Sequence, residues 1–582
     1  MKKLILPIIS VILLFLVFPL PSFSMYVTIT MADTLIAESL PPDSNYNDTG
    51  IYVSTNGNDQ TGTGTIDKPY RTITHALSLA NAGDVITLRG GVYNESIRIQ
   101  IPNITIRSKS DEWAVISSPI NDENIGQCVR VDVDASGLKL QRLEIIGGYY
   151  YGIKLETKWD WGGKDRSGVS NVTIDGCKIH DTGNDCVKIT PNCDSVTIRR
   201  CEIYNSGMRY NGNAEGIDNV NGDRMLVQDC YIHNIATNGL YFKGGATLCV
   251  VERTRIENCG GGGIMVGFDT NPEFFDTTAN PRYYESIYGI VRNCIISNTE
   301  YAGIGLYAAK NAKIYNNTLI NTARTDHSPI YFGLTFQDWD TSAGRPPSVN
   351  PVIMNNLIVQ DDTMPNNFVF IRYAYVEQLG GDLYSLAGMP IMDNNCYYKK
   401  NGNANFEDRR PTSLFNGNLS GWRSHISNEI NSIESDPLIT GNFHLSSTSP
   451  CIDEAQSTPY VTYDYDKQLR RGNFDIGADE FNQSTGVVNE TDIILNDYYL
   501  FQNYPNPFNP TTTIRFLVPQ LLHVTLKVFD VLGREVATLV DGELNPGEHS
   551  VVFNAKDLPS GVYFYRLITT AFTQTKSMEV IK

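Results

Sequence analysis

An internal repeat dominates the middle of this chain. The segments VTIDGCKIHDT from Val172, VTIRRCEIYNS from Val196, MLVQDCYIHNI from Met225, CVVERTRIENC from Cys249, GIVRNCIISNT from Gly289, AKIYNNTLINT from Ala312 and PVIMNNLIVQD from Pro351 align without gaps. Their starts differ by 24, 29, 24, 40, 23 and 39 residues, so the short value is the bare period and insertions lengthen the rest. Units of that length cannot bury an apolar face alone and must stack. Each holds three short β-favouring runs. In the unit from Val172 these are VTI, CKI and CVKI, parted by D-G, D-T-G-N and P-N-C-D turns. Three strands per turn predict an all-β, right-handed parallel β-helix. A leucine-rich repeat would need regular leucines, which are missing.

Columns of the alignment support stacking. The sixth position reads Cys177, Cys201, Cys230, Thr254, Cys294, Asn317, Asn356, an expected inward stack. The fifth reads Gly176, Arg200, Asp229, Arg253, Asn293, Asn316, Asn355, rich in residues that tolerate positive φ. The tenth reads Asp181, Asn205, Asn234, Asn258, Asn298, Asn321, where amides at ~4.8 Å strand spacing can bond along the column. The 11 cysteines form no CxxC and no small-domain framework, so buried thiols are expected, with a Cys177–Cys201 bridge left open. Coil ends need covers. Ile73, Ala76, Leu77 and Ala80 mark an amphipathic helix, closed by Gly83, over the first coil. An irregular close over 435–481 is expected at the far end.

Composition narrows the class. With 64 acidic against 46 basic residues, the net charge of −18 argues against a nucleic-acid partner. The amino end carries Lys2 and Lys3 and then an apolar stretch to Leu20, a signal-peptide pattern over 1–24. The expected layout is a polar segment (25–50), the solenoid (51–481), a linker (482–494) and a small C-terminal β-sandwich (495–582). The sandwich is read from short alternating strands with P-G, L-P-S-G and L-G turns. A monomer is expected.

The stretch YVSTNGNDQTGTGTIDKPYRTITHALSLANAGDVITLRGGVY (52–93) resembles the N-terminal cap of secreted, pectate-lyase-like parallel β-helix proteins, including polysaccharide lyase family 9. FQNYPNPFNPTTTIRF (501–516), VFDVLGREVATLVDGELNPGEHSVVFNAKDLPSGVYFYRL (528–567) and TKSMEVIK (575–582) resemble a type IX secretion C-terminal sorting domain. That second resemblance implies the type IX machinery as a partner, then release or attachment at the outer-membrane cell surface.

One strand type recurs after the turns: GIKLE (152–156), CVKIT (186–190), GIDNV (216–220), GLYFK (239–243), GIMVG (263–267) and GIGLY (303–307). Alternation puts Ile153, Val187, Ile217, Leu240, Ile264 and Ile304 inside. Lys154, Glu156, Lys188, Asp218, Tyr241, Lys243, Met265 and Tyr307 then face outward, flanked by Asp185, Glu215 and Asp269. Insertions beside this stripe bring Trp159, Trp161, Phe274, Phe275, Tyr283, Tyr284 and Trp339, which suit stacking on sugar rings or packing under their own loops. The stripe suggests β-elimination of a uronate polymer, which needs a base and a positive partner for the substrate carboxylate. The candidate catalytic residues are Lys243, Tyr241 and Lys188. Lys154, Glu156, Trp159, Trp161, Asp269 and Tyr307 are the candidate substrate-binding residues. A Ca²⁺ held by Asp185, Glu215 and Asp218 would supply the positive charge.

The family 9 resemblance implies a calcium-binding aspartate cluster and a catalytic lysine. AEGIDNV (214–220) resembles its Asp-Asp-Gly-x-Asp run, with Ala214 and Glu215 replacing the first two aspartates and Asp218 matching the third. NDCVKI (184–189) resembles an earlier segment through Asp185. In NGLYFKGG (238–245) Tyr241 takes the lysine's place, and Lys243 lies two residues on, on the same face. Two other readings stay open. TGNDCVKI (182–189) is similar to a polygalacturonase segment, although no Gly-His-Gly or Arg-Ile-Lys follows, and a non-catalytic glycan-binding adhesin could use the same solenoid.

Overall fold

The computed structural model describes residues 50–481 apart from 160–165, 336–344, 366, 378–380, 459 and 471. It also describes 499–581 apart from 501–502, 504–505, 519–521, 545–546 and 570–572. The expected signal peptide, nearly all of the polar segment and the linker lie outside these residues.

The repeat winds into a parallel β-helix. Three sheets of twelve strands each run its length. The first begins at Ile51–Val53 and ends at Ile391–Asp393, the second runs from Ile97–Ile99 to Phe415–Gly417, and the third from Gly91–Tyr93 to Ile433–Glu434. Pairing is in parallel register, as at Ile153↔Val187↔Ile217↔Leu240↔Ile264↔Ile304, and all six of these side chains are fully buried. A fourth, two-residue-wide sheet of five strands lines the longer turn, starting at Ala246–Thr247.

The columns behave as their chemistry requires. Every fifth-position residue from Gly176 to Asn355 has φ between 45° and 62°. The sixth position is buried throughout, and its asparagines form a ladder. Asn356 Oδ1 accepts from the Asn317 backbone at 3.1 Å and from Asn317 Nδ2 at 3.0 Å, and Asn356 Nδ2 donates to Asn395 Oδ1 at 3.1 Å. The tenth position bonds along its column in places: Asn205 Nδ2 donates to Asp181 Oδ1 at 2.9 Å and Asn258 Nδ2 to Asn234 Oδ1 at 3.3 Å, each from one coil to its neighbour. Its residues hold φ of 51° to 56° at a bend, and Asn234 and Asn258 are exposed. All eleven cysteines are buried and free, including Cys177 and Cys201.

The helix Ile73–Leu79 covers the first coil, burying Ile73, Ala76 and Leu77, with Thr72 Oγ1 accepting from the His75 backbone. The far end corrects the sequence expectation. Its cover is a second helix, Leu419–Ile426, whose Trp422 is fully buried in the main core. Residues 435–481 instead run back along the flank, where Leu445, Cys451, Val461 and Ile476 pack with Tyr315, Leu357 and Cys396. Fifth-position asparagines clamp this return: Asn293 Nδ2 donates to Tyr463 O, Asn316 Nδ2 to Asp475 O, and Asn355 Nδ2 to Gln456 O.

Residues 499–581 form two antiparallel sheets, of three and four strands, on a core that includes Leu500, Phe516, Leu526, Tyr565 and Met578. No helix among the described residues is long and apolar enough to cross a membrane.

Candidate functional site

The outer face of the second sheet carries the candidate residues. Register stacks Lys154, Lys188, Asp218, Tyr241 and Met265 on successive coils. Asp185 and Glu215 lie three residues before Lys188 and Asp218. Oxygens of Asp185, Glu215 and Asp218 lie within 4.8 Å of one another, and all three residues are buried.

Each carboxylate keeps one oxygen without a hydrogen-bond partner: Asp185 Oδ2, Glu215 Oε2 and Asp218 Oδ1. The other oxygens are engaged. Asp185 Oδ1 accepts from the Glu215 backbone at 3.1 Å, Glu215 Oε1 accepts from Thr237 Oγ1 at 2.9 Å, and Asp218 Oδ2 pairs with Lys188 Nζ. Burial, then the charges of Asp218 and Glu215, push the Asp185 carboxyl well up. Burial and Asp218 raise Glu215. Asp218 is held down, because Lys188 and Lys243 outweigh its burial. Orphaned buried oxygens are costly. Three buried carboxylates with one such oxygen each, clustered together, form a hard-oxygen donor set that suits a divalent cation such as Ca²⁺.

Lys243 stands beside this triad. Its Nζ donates to the Asp269 carbonyl at 2.9 Å and lies 4.2 Å from the Tyr241 ring centre and 5.5 Å from that of Phe268. Tyr241 is buried, and burial together with the charge of Asp218 drives its hydroxyl far above the usual range. Lys188, 4.0 Å from Asp185 and paired with Asp218, is raised, since those charges overcome its burial. Lys188 is thus placed as a counter-charge to Asp218 and Asp185.

Other candidates fall differently. Glu156 is buried and engaged by Lys154 Nζ at 2.9 Å, by Arg130 Nε at 3.5 Å and by Trp159 Nε1 at 3.3 Å. Trp159 is 37 % exposed and meets Phe274 edge-on at 6.0 Å. Asp269 meets Lys243 through its backbone carbonyl rather than its carboxylate, because the loop crosses the lysine as main chain. The stripe is also less open than the alternation implied. Tyr241, Met265 and Tyr307 point away from the coil, yet they pack with Tyr331 and Phe370 into an outer apolar cluster against Phe268. Phe275 and Tyr284 are buried within their own loop. Trp161 and Trp339 lie outside the described residues.

Sequence reasoning missed the pair that fixes this loop. Glu285 and Arg345, 60 residues apart and fully buried, meet at 2.9 Å. Glu285 also accepts from Gly244 N at 2.8 Å and Thr270 Oγ1 at 2.6 Å, which ties the loop to the turn after Lys243. The two residues come from different insertions, so no repeat position marks them.

Comparison with known proteins accords with this architecture. Residues 51–259 match the model for a Pel9A-like right-handed beta helix region, residues 215–403 that for a right-handed beta helix region, and residues 502–582 that for a secretion system C-terminal sorting domain. The chain is a right-handed β-helix protein with a type IX sorting domain. That domain marks it as secreted or cell-surface and implies passage through the type IX system. The uncharacterized protein YwoF of Bacillus subtilis (strain 168) is 24% identical over 474 residues, covering 69% of this chain and 91% of YwoF. Among solved structures, pectate lyase Pel9A is 15% identical with a TM-score of 0.48, covering 74% of this chain and 96% of its own. An alginate lyase from Paenibacillus sp. str. FPU-7 is 19% identical with a TM-score of 0.35, covering 50% and 90%.

Proposed function

We propose that this β-helix protein cleaves a uronate-containing polysaccharide by β-elimination on the outer face of its second sheet. The observation that carries the reading is the buried Asp185–Glu215–Asp218 triad, with three orphaned oxygens, beside Lys243. In this reading the Lys243 amine takes the proton on C5, next to the substrate carboxylate. The C5–H electron pair becomes the C4–C5 double bond, the C4–O bond breaks, and the departing oxygen takes a proton from water. The Asp269 carbonyl and the Tyr241 ring fix the amine's position. Ca²⁺ held by the triad would neutralise the substrate carboxylate and acidify the neighbouring proton. Names of similar proteins, pectate lyase Pel9A and an alginate lyase among them, accord with this chemistry.

The test is product absorbance in the ultraviolet from an unsaturated uronide, over pectic, alginate and glycosaminoglycan substrates. Lys243→Ala should lower the rate by roughly 10²–10⁴-fold, the usual worth of a positioned base. Chelator should silence wild type. New reducing ends without that absorbance would mark a hydrolase, and retention of polymer without turnover a binder. Either result overturns the proposal.

A further inference from the structure

The column that carries Lys243 ends in two arginines. Register runs Phe242↔Val266↔Leu306↔Phe332↔Ile371↔Asp408. The next residue on each coil is therefore Lys243, Gly267, Tyr307, Gly333, Arg372 and Arg409. Arg372 stands four coils from Lys243 and Arg409 five, about 19 and 24 Å at ~4.8 Å per coil.

The stretch between is a floor of buried aromatic side chains. Gly267, Gly305 and Gly333 present no side chain there. Tyr307 lies across two of them, since a Cβ on Gly333 would sit 1.9 Å from its ring and one on Gly305 2.7 Å from it. Tyr331 and Phe370 continue the floor, and His327 stacks on Tyr331 at 3.9 Å and 7°. Burial pushes the His327 imidazole down to about 4, so this wall is uncharged at neutral pH. Both arginines are exposed and braced on it. Arg372 Nη1 donates to Tyr331 Oη at 2.9 Å, and the Arg409 guanidinium lies 4.5 Å from the Phe370 ring centre. Acidic groups nearby are Glu407, which takes Arg409 Nε at 2.5 Å, and exposed Asp326. On a chain of net charge −18, these two exposed guanidiniums are cations that each keep donors turned outward, with one acid near each.

We propose that Arg372 and Arg409 form a distal subsite for a carboxylate of an extended acidic polysaccharide whose reacting unit sits at Lys243. This rests on the function proposed above and deepens it: the groove reads a run of several sugars. A pyranose unit advances an extended chain by close to one coil's rise, so the arginines meet a uronate four to five units from the base. Planar guanidinium forks match carboxylates in two-point hydrogen bonds.

Binding of galacturonate and of alginate oligomers, three and six units long, to the full chain carrying Lys243→Ala tests this without turnover. Arg372→Gln with Arg409→Gln should weaken the hexamer by at least tenfold and leave the trimer unchanged. Arg409→Gln alone, at an exposed position, should give part of that loss. A neutral hexasaccharide control should be indifferent to the arginines. Equal weakening of trimer and hexamer, or none for either, overturns the subsite. Arginine-dependent hexamer binding by a protein whose wild type cleaves no uronate polymer would sink the lyase reading and leave the subsite standing.

Discussion

Single residues carry the chemistry of this molecule, and the clearest is Glu429 at the last coil. Its Oε1 accepts from Ser432 Oγ at 2.6 Å, Tyr397 Oη at 2.7 Å and Asn395 Nδ2 at 2.9 Å, whereas Oε2 is buried without a partner. Burial outweighs those donors and pushes the carboxyl up to about 7. A folded pKa above the unfolded one contributes stability that is fully present below the unfolded value and is lost as pH rises through the folded one. Between about pH 4.5 and 7 the chain should thus lose about 3 kcal/mol at this site. Glu429→Gln should flatten that slope, as read by urea midpoints at pH 5 and pH 8; an unchanged slope would clear Glu429. The candidate triad was readable in advance because Asp185, Glu215 and Asp218 sit at repeat-related positions. The backbone role of Asp269 was not, because a loop's path over Lys243 leaves no mark in periodicity.

At the level of elements, register and columns follow from the repeat. Positive φ at the fifth position was legible because Gly, Asn and Asp crowd there. The far-end cover was not, because Leu419–Ile426 is eight residues long with one buried tryptophan, and 435–481 has no period at all. Its placement depends on amides of the coils behind it, which only the fold brings together. The asparagine ladder supplies the test. Asn356 gives Nδ2 to Ile314 O and Met354 O, both at 3.0 Å, while accepting twice from Asn317. Asn356→Ala strips buried donors of their acceptor at ~1–3 kcal/mol each. A loss of about 3 kcal/mol in urea unfolding is expected, and one below about 1 kcal/mol would mean that the amides only fill space.

For the whole molecule, export and thiol chemistry pull in opposite directions. The sorting domain sends the chain beyond the cell, where disulfides persist. Stacked coils even bring cysteines of one column within bridging range. Yet each column thiol is turned toward main chain: Cys177 Sγ lies 3.6 Å from Leu140 O, Cys201 Sγ 3.2 Å from Arg199 O, Cys230 Sγ 3.3 Å from Gln228 O, and Cys294 Sγ 3.3 Å from Arg292 O. Burial pushes the thiols of Cys186, Cys259 and Cys294 up to about 12, and that of Cys193 to about 11. Since the thiolate is the reactive form, both access and ionisation protect these four, whereas Cys201, where hydrogen bonds with Cys177 and Cys230 outweigh burial and hold the thiol low, is protected by its lack of access alone. Native protein should therefore release no chromophore from an aromatic disulfide reagent at pH 8, and unreduced protein in guanidinium should titrate all 11 cysteines. A count of nine in guanidinium would place one bridge in the folded chain. Cys177, Cys201 and Cys230 would be the first to map, because their side chains succeed one another along a single column.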